Sequence, residues 1–346
     1  MFRIGKMANT SYNSPAPPPT PLRRLLRMLD TEKRDIWYVY LYAIVAGLIS
    51  LSLPLGVQAV FNLVSGGMVF SSVYVLIGLV IIGVLVSGLI QVGQQAVVEV
   101  LQQRLYVKAA FEFTFRLPRI RPEALIGTHP PELMNRFFDV LTIQKGLPKL
   151  LIDLTAALIQ ILFGIILLSF YHPVFLAFGL VTLVALVIIC LMYGPKGLKT
   201  SLSESKYKYR LVAWLEEIAS RLPHYRQSDH ADDLIDQADE NVAHYLEYRN
   251  QHFKVLKRFY YNAVGFKTLV IGGLLVIGTA LVVERQMTLG QFVAAELVIV
   301  LVTNSFEKLM MSIDTVFDLL TAVEKLGNVT DLPLEEADHT VGGVVA

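Results

Sequence analysis

The chain has 346 residues, 54% apolar and 17% charged, with a mean hydropathy of +0.54 and a formal net charge of +1. Soluble domains carry about 25% charged residues, and here no Asp, Glu, Lys or Arg occurs in three runs, Ile36–Val98, Leu154–Pro195 and Thr268–Val283. Such runs exclude a water-soluble domain, and the single cysteine, Cys190, excludes a disulfide framework.

In chain order, residues 1–19 form a Pro-rich leader with no signal-peptide core. Residues 20–35 follow, with Thr20 as N-cap and Pro21 at the first helical position. Leu22, Leu25, Leu26 and Leu29 then recur at helical spacing, with Arg23, Arg24 and Arg27 on another face. This pattern predicts an amphipathic helix lying on the membrane surface. A membrane-spanning helix takes about 20 apolar residues, so the two longest runs hold two spans each. Breaks at Ser65-Gly66-Gly67 and Tyr171-His172-Pro173 place spans near 36–64, 73–98, 149–170 and 173–193. Two more lie near 264–283 and 289–311, joined by Glu284–Thr288. Pro54 falls inside the first span and is a hinge candidate, with simple curvature as the alternative.

No helix breaker occurs between Val98 and Pro118, so the second span is expected to continue as one helix over 73–117. That is ~65 Å at 1.5 Å per residue, about twice the hydrocarbon thickness. Pro131 to Phe138 reads as a short helix at its far end, followed by a return to Pro148. A second hairpin repeats the plan. Tyr207, Leu211, Leu215, Ile218 and Leu222 mark the outgoing helix, Pro223 breaks it, and Ile235, Ala238, Val242, Tyr245 and Leu246 mark the return. Of the 30 Lys and Arg residues, only Arg285 falls on the side of the short loops. By the positive-inside rule both termini and both long hairpins are cytoplasmic, in a multi-pass plasma (inner) membrane protein.

Rods that carry small tips away from the bilayer suit mechanical coupling to a soluble partner, and stabilisation of the bundle is the alternative. Together these features resemble the transmembrane domain of type I ATP-binding-cassette (ABC) exporters. Glu132-Leu133-Met134-Asn135-Arg136, preceded by Pro131, stands where that family has its first coupling helix, and Pro131 replaces a common Gly. Glu216-Glu217-Ile218-Ala219 with Leu222-Pro223-His224-Tyr225-Arg226 is similar to the second. Leu289-Gly290-Gln291-Phe292 resembles the start of the family's sixth span, and Leu319–Glu335 its linker to the nucleotide-binding domain. The region 284–336 is most similar to exporters of the bacterial toxin and bacteriocin secretion group.

The resemblance implies an all-α fold: six spans with two long cytoplasmic hairpins over 36–318, then a linker over 319–346. It also implies a dimer of twelve spans and an ATPase domain or subunit that binds ATP and Mg and docks on 131–136 and 222–226. The cargo would be exported. The sequence has no phosphate-binding loop or signature motif, since Ser65-Gly66-Gly67-Met68 lies in an external turn. The chain itself is therefore expected to bind no cofactor and to be no enzyme. A scaffold or sensor that kept the fold without transport is the alternative, and a membrane enzyme ranks third.

Glu296, an acid two turns into the sixth span, is costly in hydrocarbon and is a pathway candidate; a structural hydrogen bond is the other reading. Gln91, Gln94 and Gln95 either line the same path or bridge helices. Lys267 is expected to snorkel to the membrane surface. The cluster His224, Asp229, His230, Asp232, Asp233 and Asp236 fails as a calcium loop, because Ala231 and Leu234 stand where a ligand and Gly are needed. It reads as a solvated acidic linker.

Overall fold

The computed structural model describes residues 19–67, 70–125, 130–227 and 231–335. Described residues form helices joined by short turns, and six of these helical stretches are long and apolar enough to cross a membrane. The elbow is α1 (Pro21–Asp30). The first span is α2 (Lys33–Ser50) plus α3 (Ser52–Ser65). The second is α4 (Phe70–Arg116), 47 residues and ~70 Å long. After it come α5 (Pro130–Asn135), α6 (Phe138–Pro148) and α7 (Thr155–Ser169). The second hairpin is α8 (Pro173–Ser220), α9 (Leu222–Gln227) and α10 (Ala231–Val283). The chain then forms α11 (Leu289–Met311) and α12 (Ile313–Thr330).

Prolines shape this path through the N–H they lack and the carbonyl four residues back that they expose. The first span breaks at Leu51, upstream of Pro54, within the turn whose hydrogen bond the ring removes. Ser50 turns its hydroxyl to the Gly47 carbonyl there, at 2.7 Å. Pro148 exposes the carbonyl of Gln144, and the Gln102 amide of α4 donates to it at 2.7 Å. Gln144 returns the bond to the Gln102 carbonyl at 3.2 Å. With this satisfied, the helix passes Pro148 through one wide turn, Lys149–Leu154, into α7. The short tip helix ends at Asn135 rather than Phe138, and an expected return stretch is instead the helix α6.

Membrane helices gain little from burial against lipid and associate by close packing of small residues. Gly164 of α7 lies so near Val302 of α11 that a Cβ would sit 2.4 Å from its methyl. The main core joins α7, α8, α10 and α11 around Ile161, Leu168, Phe259, Ile299 and Phe306. A second core gathers α1, α2, α4, α6 and α12 around Leu25, Val39, Leu101, Leu147 and Leu319. The span half of α4 packs chiefly on α2 and α3, leaving Leu79, Ile82, Leu85 and Leu89 exposed.

Two lysines at the rod-side ends of the spans are paired. Lys267, expected to snorkel, holds its ammonium 2.7 Å from Glu307 of α11. Lys308 likewise meets Asp153 at 2.7 Å. The start of α11 is a reciprocal cap, with Thr288 accepting from the Gln291 N–H and Gln291 accepting from the Thr288 N–H. The division expected at 318/319 falls inside α12, whose second half is buried: Leu319, Ala322, Val323 and Val329 are all under 5% exposed.

Gly197 of α8 faces Phe317 of α12, where a Cβ would meet the ring at 2.2 Å. Gly197→Leu should destabilise the protein by about 1–3 kcal/mol through overpacking. A thermal midpoint in detergent equal to that of the wild type would contradict this packing.

Candidate functional site

The ends of the two rods and the last turns of α12 converge on one polar junction. Leu133 of α5 is 8% exposed and packs with Phe113 of α4, Ile120 and Val329 of α12. Phe137 adds edge-on contacts to Tyr106 and Phe113, at 5.6 and 5.4 Å. This apolar seat fixes the tip and directs its polar residues at the second rod. The Asn135 amide donates to the carboxylate of Glu216 on α8. The Arg136 guanidinium lies 3.7 Å over the ring of Tyr209, also on α8.

Asp139, 4% exposed, receives a hydrogen bond from the Tyr209 hydroxyl, with Lys208, Arg136 and Lys325 around it. Burial pushes its carboxyl above the usual range, against the pull of those partners. Burial and the neighbouring Asp139 raise Tyr209 as well, and burial with the nearby Arg136 lowers Lys325. A low-dielectric charge cluster of this kind is costly to break, since removing one member leaves the others unpaired.

A second polar layer closer to the membrane ties α8, α10 and α12. Arg249 pairs with Glu204 at 3.1 Å, buried His252 meets Asp314 at 3.2 Å and Thr200 at 2.9 Å, and Ser201 meets Thr321 at 2.8 Å. The His252 hydrogen bond holds Asp314 below its ordinary value. Burial, with Asp314 and Glu204 nearby, pushes Asp318 up to about 6.

The elbow and the chain's last described stretch close the junction. Arg24 of α1 pairs with Glu324 at 3.2 Å and Asp331 at 2.7 Å. Beyond α12, Leu334 forms an antiparallel bridge with Ile120, next to the end of α4. The Arg121 N–H donates to Pro333 O at 3.1 Å, and the Glu335 N–H to Arg119 O at 2.8 Å.

Of the expected tip residues, Leu133, Asn135 and Arg136 thus join the junction, while Met134 is 49% exposed. On α9, Leu222 is 46% exposed and Tyr225 half-buried. Pro223 lies in the first turn of that helix. The side chains of Pro131, Glu132, His224 and Arg226, and residues Asp229 and His230, lie outside the described ones.

In the membrane half, Gln94 is buried and donates to the Val39 carbonyl of α2 at 3.1 Å, bridging two helices. Gln91 and Gln95 stay exposed on α4. Glu296 is half-buried and has no partner among the described residues. Beside Pro54 a groove of about 370 Å³ opens between α3, α7 and α11. Its polar lining is Gln160, Asn304, Ser305 and Lys308, with Ser305 donating to Gln160 at 2.8 Å. Sequence reasoning missed these residues, though Leu297, Val300, Leu301, Asn304 and Lys308 share a helical face that the spacing could have shown. Asp139, Tyr209 and Lys325 were missed too, because their meeting depends on the packing of three distant helices.

Six helices long and apolar enough to cross a membrane, long rods and a first tip keyed to the second rod define an integral multi-pass membrane protein of the ABC type 1 transmembrane fold. The model of the ABC transporter transmembrane region matches residues 36–220, more than half of the chain, and the chain belongs to that family. No curated protein matches it.

Asp318 carries a pH prediction. Its folded-state pKa lies above the ordinary 3.8, so the stability it contributes is full below pH 4 and is lost as pH rises through about 6. Relative to Asp318→Asn, the wild type should lose up to about 3 kcal/mol between pH 4 and 8. Melting curves of the two proteins across that range would show it, and parallel curves would refute it.

Proposed function

We propose that this chain is the membrane-spanning part of an ABC exporter, working as a dimer with twelve spans. It has no catalytic or cofactor-binding residues of its own. A nucleotide-binding domain or subunit holding ATP and Mg docks on the rod tips at 131–136 and 222–226, on the cytoplasmic side with both termini. Closure of the ATPase on ATP is carried through the rods and switches the spans between inward- and outward-facing states, exporting the cargo.

The observation that carries this reading is the cross-link between the two rods: Asn135 on Glu216, and Arg136 over Tyr209. A push on either tip then moves α6, α8 and α12 as one body, as coupling requires. Two features support a path through the spans: the carboxylate of Glu296, which has no partner among the described residues, and the amide-lined groove at the break beside Pro54. A polar group held within a span is expected to face a cavity or a partner.

In the assembled transporter, changing both Arg136 and Tyr225 to Ala should lower cargo-stimulated ATP hydrolysis at least tenfold while basal hydrolysis persists. Full stimulation in the double variant would remove the coupling assignment. Glu296→Gln should change transport rate or cargo preference without altering basal hydrolysis, and identical cargo kinetics would take Glu296 out of the path.

A further inference from the structure

The elbow presents a cationic and apolar surface that the described residues leave largely uncovered. On α1, Leu25 and Leu29 are buried against the protein, whereas Leu22 and Leu26 are 55% and 58% exposed. Arg23 and Arg27 project from the adjoining face, exposed. At the start of α2, Lys33 and Arg34 are exposed, with Trp37 63% exposed and Tyr38 39% exposed one turn further into the span. Arg34 lies over the Tyr38 ring at 5.9 Å.

Among the described residues, two of the nearby acids are committed elsewhere. Glu32 pairs with Lys108 and Arg104, and Asp35 with Arg104. Arg24 is taken by Glu324 and Asp331. Among the described residues Arg23, Arg27 and Lys33 have no partner, and the one free acid on α1 is exposed Asp30. The surface is continuous with the first span. Each cation of α2 stands one turn outside an aromatic ring, the order in which headgroup phosphate and the upper acyl region follow one another in a bilayer.

We infer that Arg23, Arg27, Lys33 and Arg34, with Leu26 and Trp37, form a docking surface for anionic phospholipid headgroups of the leaflet on the rod side. Phosphate oxygens accept from the guanidinium and ammonium groups, while Leu22, Leu26 and Trp37 sink beside the acyl chains. Because Arg24 and Leu25 hold α1 on α12, an occupied surface also braces the far end of that helix.

Trp37 reports on this surface directly. The chain's other tryptophan, Trp214, bonds Gln237 far along the second rod, and Trp214→Phe leaves Trp37 as sole emitter. In nanodiscs at equal mole fraction, brominated phosphatidylglycerol should quench Trp37 about fivefold more effectively than brominated phosphatidylcholine, since one basic group near an anionic surface already favours it about that much. The preference should vanish in Arg23→Gln/Arg27→Gln/Lys33→Gln/Arg34→Gln, and in 1 M salt, where the screening length is ~3 Å. Quenching by phosphatidylcholine should be unchanged, showing that Trp37 keeps its depth. Should the four-fold variant fail to fold, Arg23→Gln/Lys33→Gln should halve the preference. Arg116→Gln/Arg221→Gln, at the rod ends, should leave it intact. Equal quenching by the two lipids, or an unchanged preference in the charge variants, overturns the inference. So does loss of the preference on adding inorganic phosphate at constant ionic strength, which would make the site a free-anion site.

Discussion

A backbone in hydrocarbon has no water to satisfy its N–H and C=O groups, so each crossing must be an unbroken helix or must repair every break. The structure depends on that constraint. At Pro148 the freed Gln144 carbonyl is repaired by an amide from another helix. At Pro54 the break falls beside a groove. Charges obey the same rule, and Lys267 and Lys308 at the rod-side ends of the spans each find a carboxylate within 2.7 Å. Once helices of this kind leave the bilayer nothing obliges them to stop, and α4, α8 and α10 run on for tens of ångströms. The rods are thus continuations of the spans, stiff because no joint separates them.

Stiffness alone would give levers that move independently. Apolar contact seats α5 on α4 and α12, and the buried charges around Asp139 and Tyr209 join that assembly to α8. A buried ionic cluster is a modest source of stability but a demanding one geometrically, because displacing any member strands the others. A transmission needs that property: small movements are resisted until the whole group shifts. The Glu204, Arg249, His252, Asp314 and Asp318 layer repeats the arrangement nearer the bilayer and extends it to α10.

Much of this was legible in the sequence, for physical reasons. Spans, rods and turns follow from charge-free runs, from prolines and from helical spacing, all of which act locally. Thus α4 was expected over 73–117 and runs from 70 to 116, and α11 has the expected limits, 289–311. What escaped depends on residues far apart in the chain. Asn135 and Glu216 were both within the segments singled out, but nothing local says that one donates to the other. Arg24 looked like one more cation on the elbow until α12 supplied Glu324 and Asp331. Gln94, indistinguishable in sequence from Gln91 and Gln95, proved to be the one of the three turned inward to α2. Lys267 was expected to snorkel, and its pairing could not be read locally because Glu307 sits on another helix, forty residues on.

The antiparallel bridge between Ile120 and Leu334 fixes a point of departure. Whatever chain follows Glu335 sets out from the foot of the first rod, not from the free end of α12. A pull on it is shared at once between two anchorages, the hydrogen bonds at Arg119 and Arg121 and the ion pairs at Arg24. The load therefore divides between the first rod and the elbow before α12 has to bend, and the helix behaves less like a leash than like a strut clamped twice at its far end.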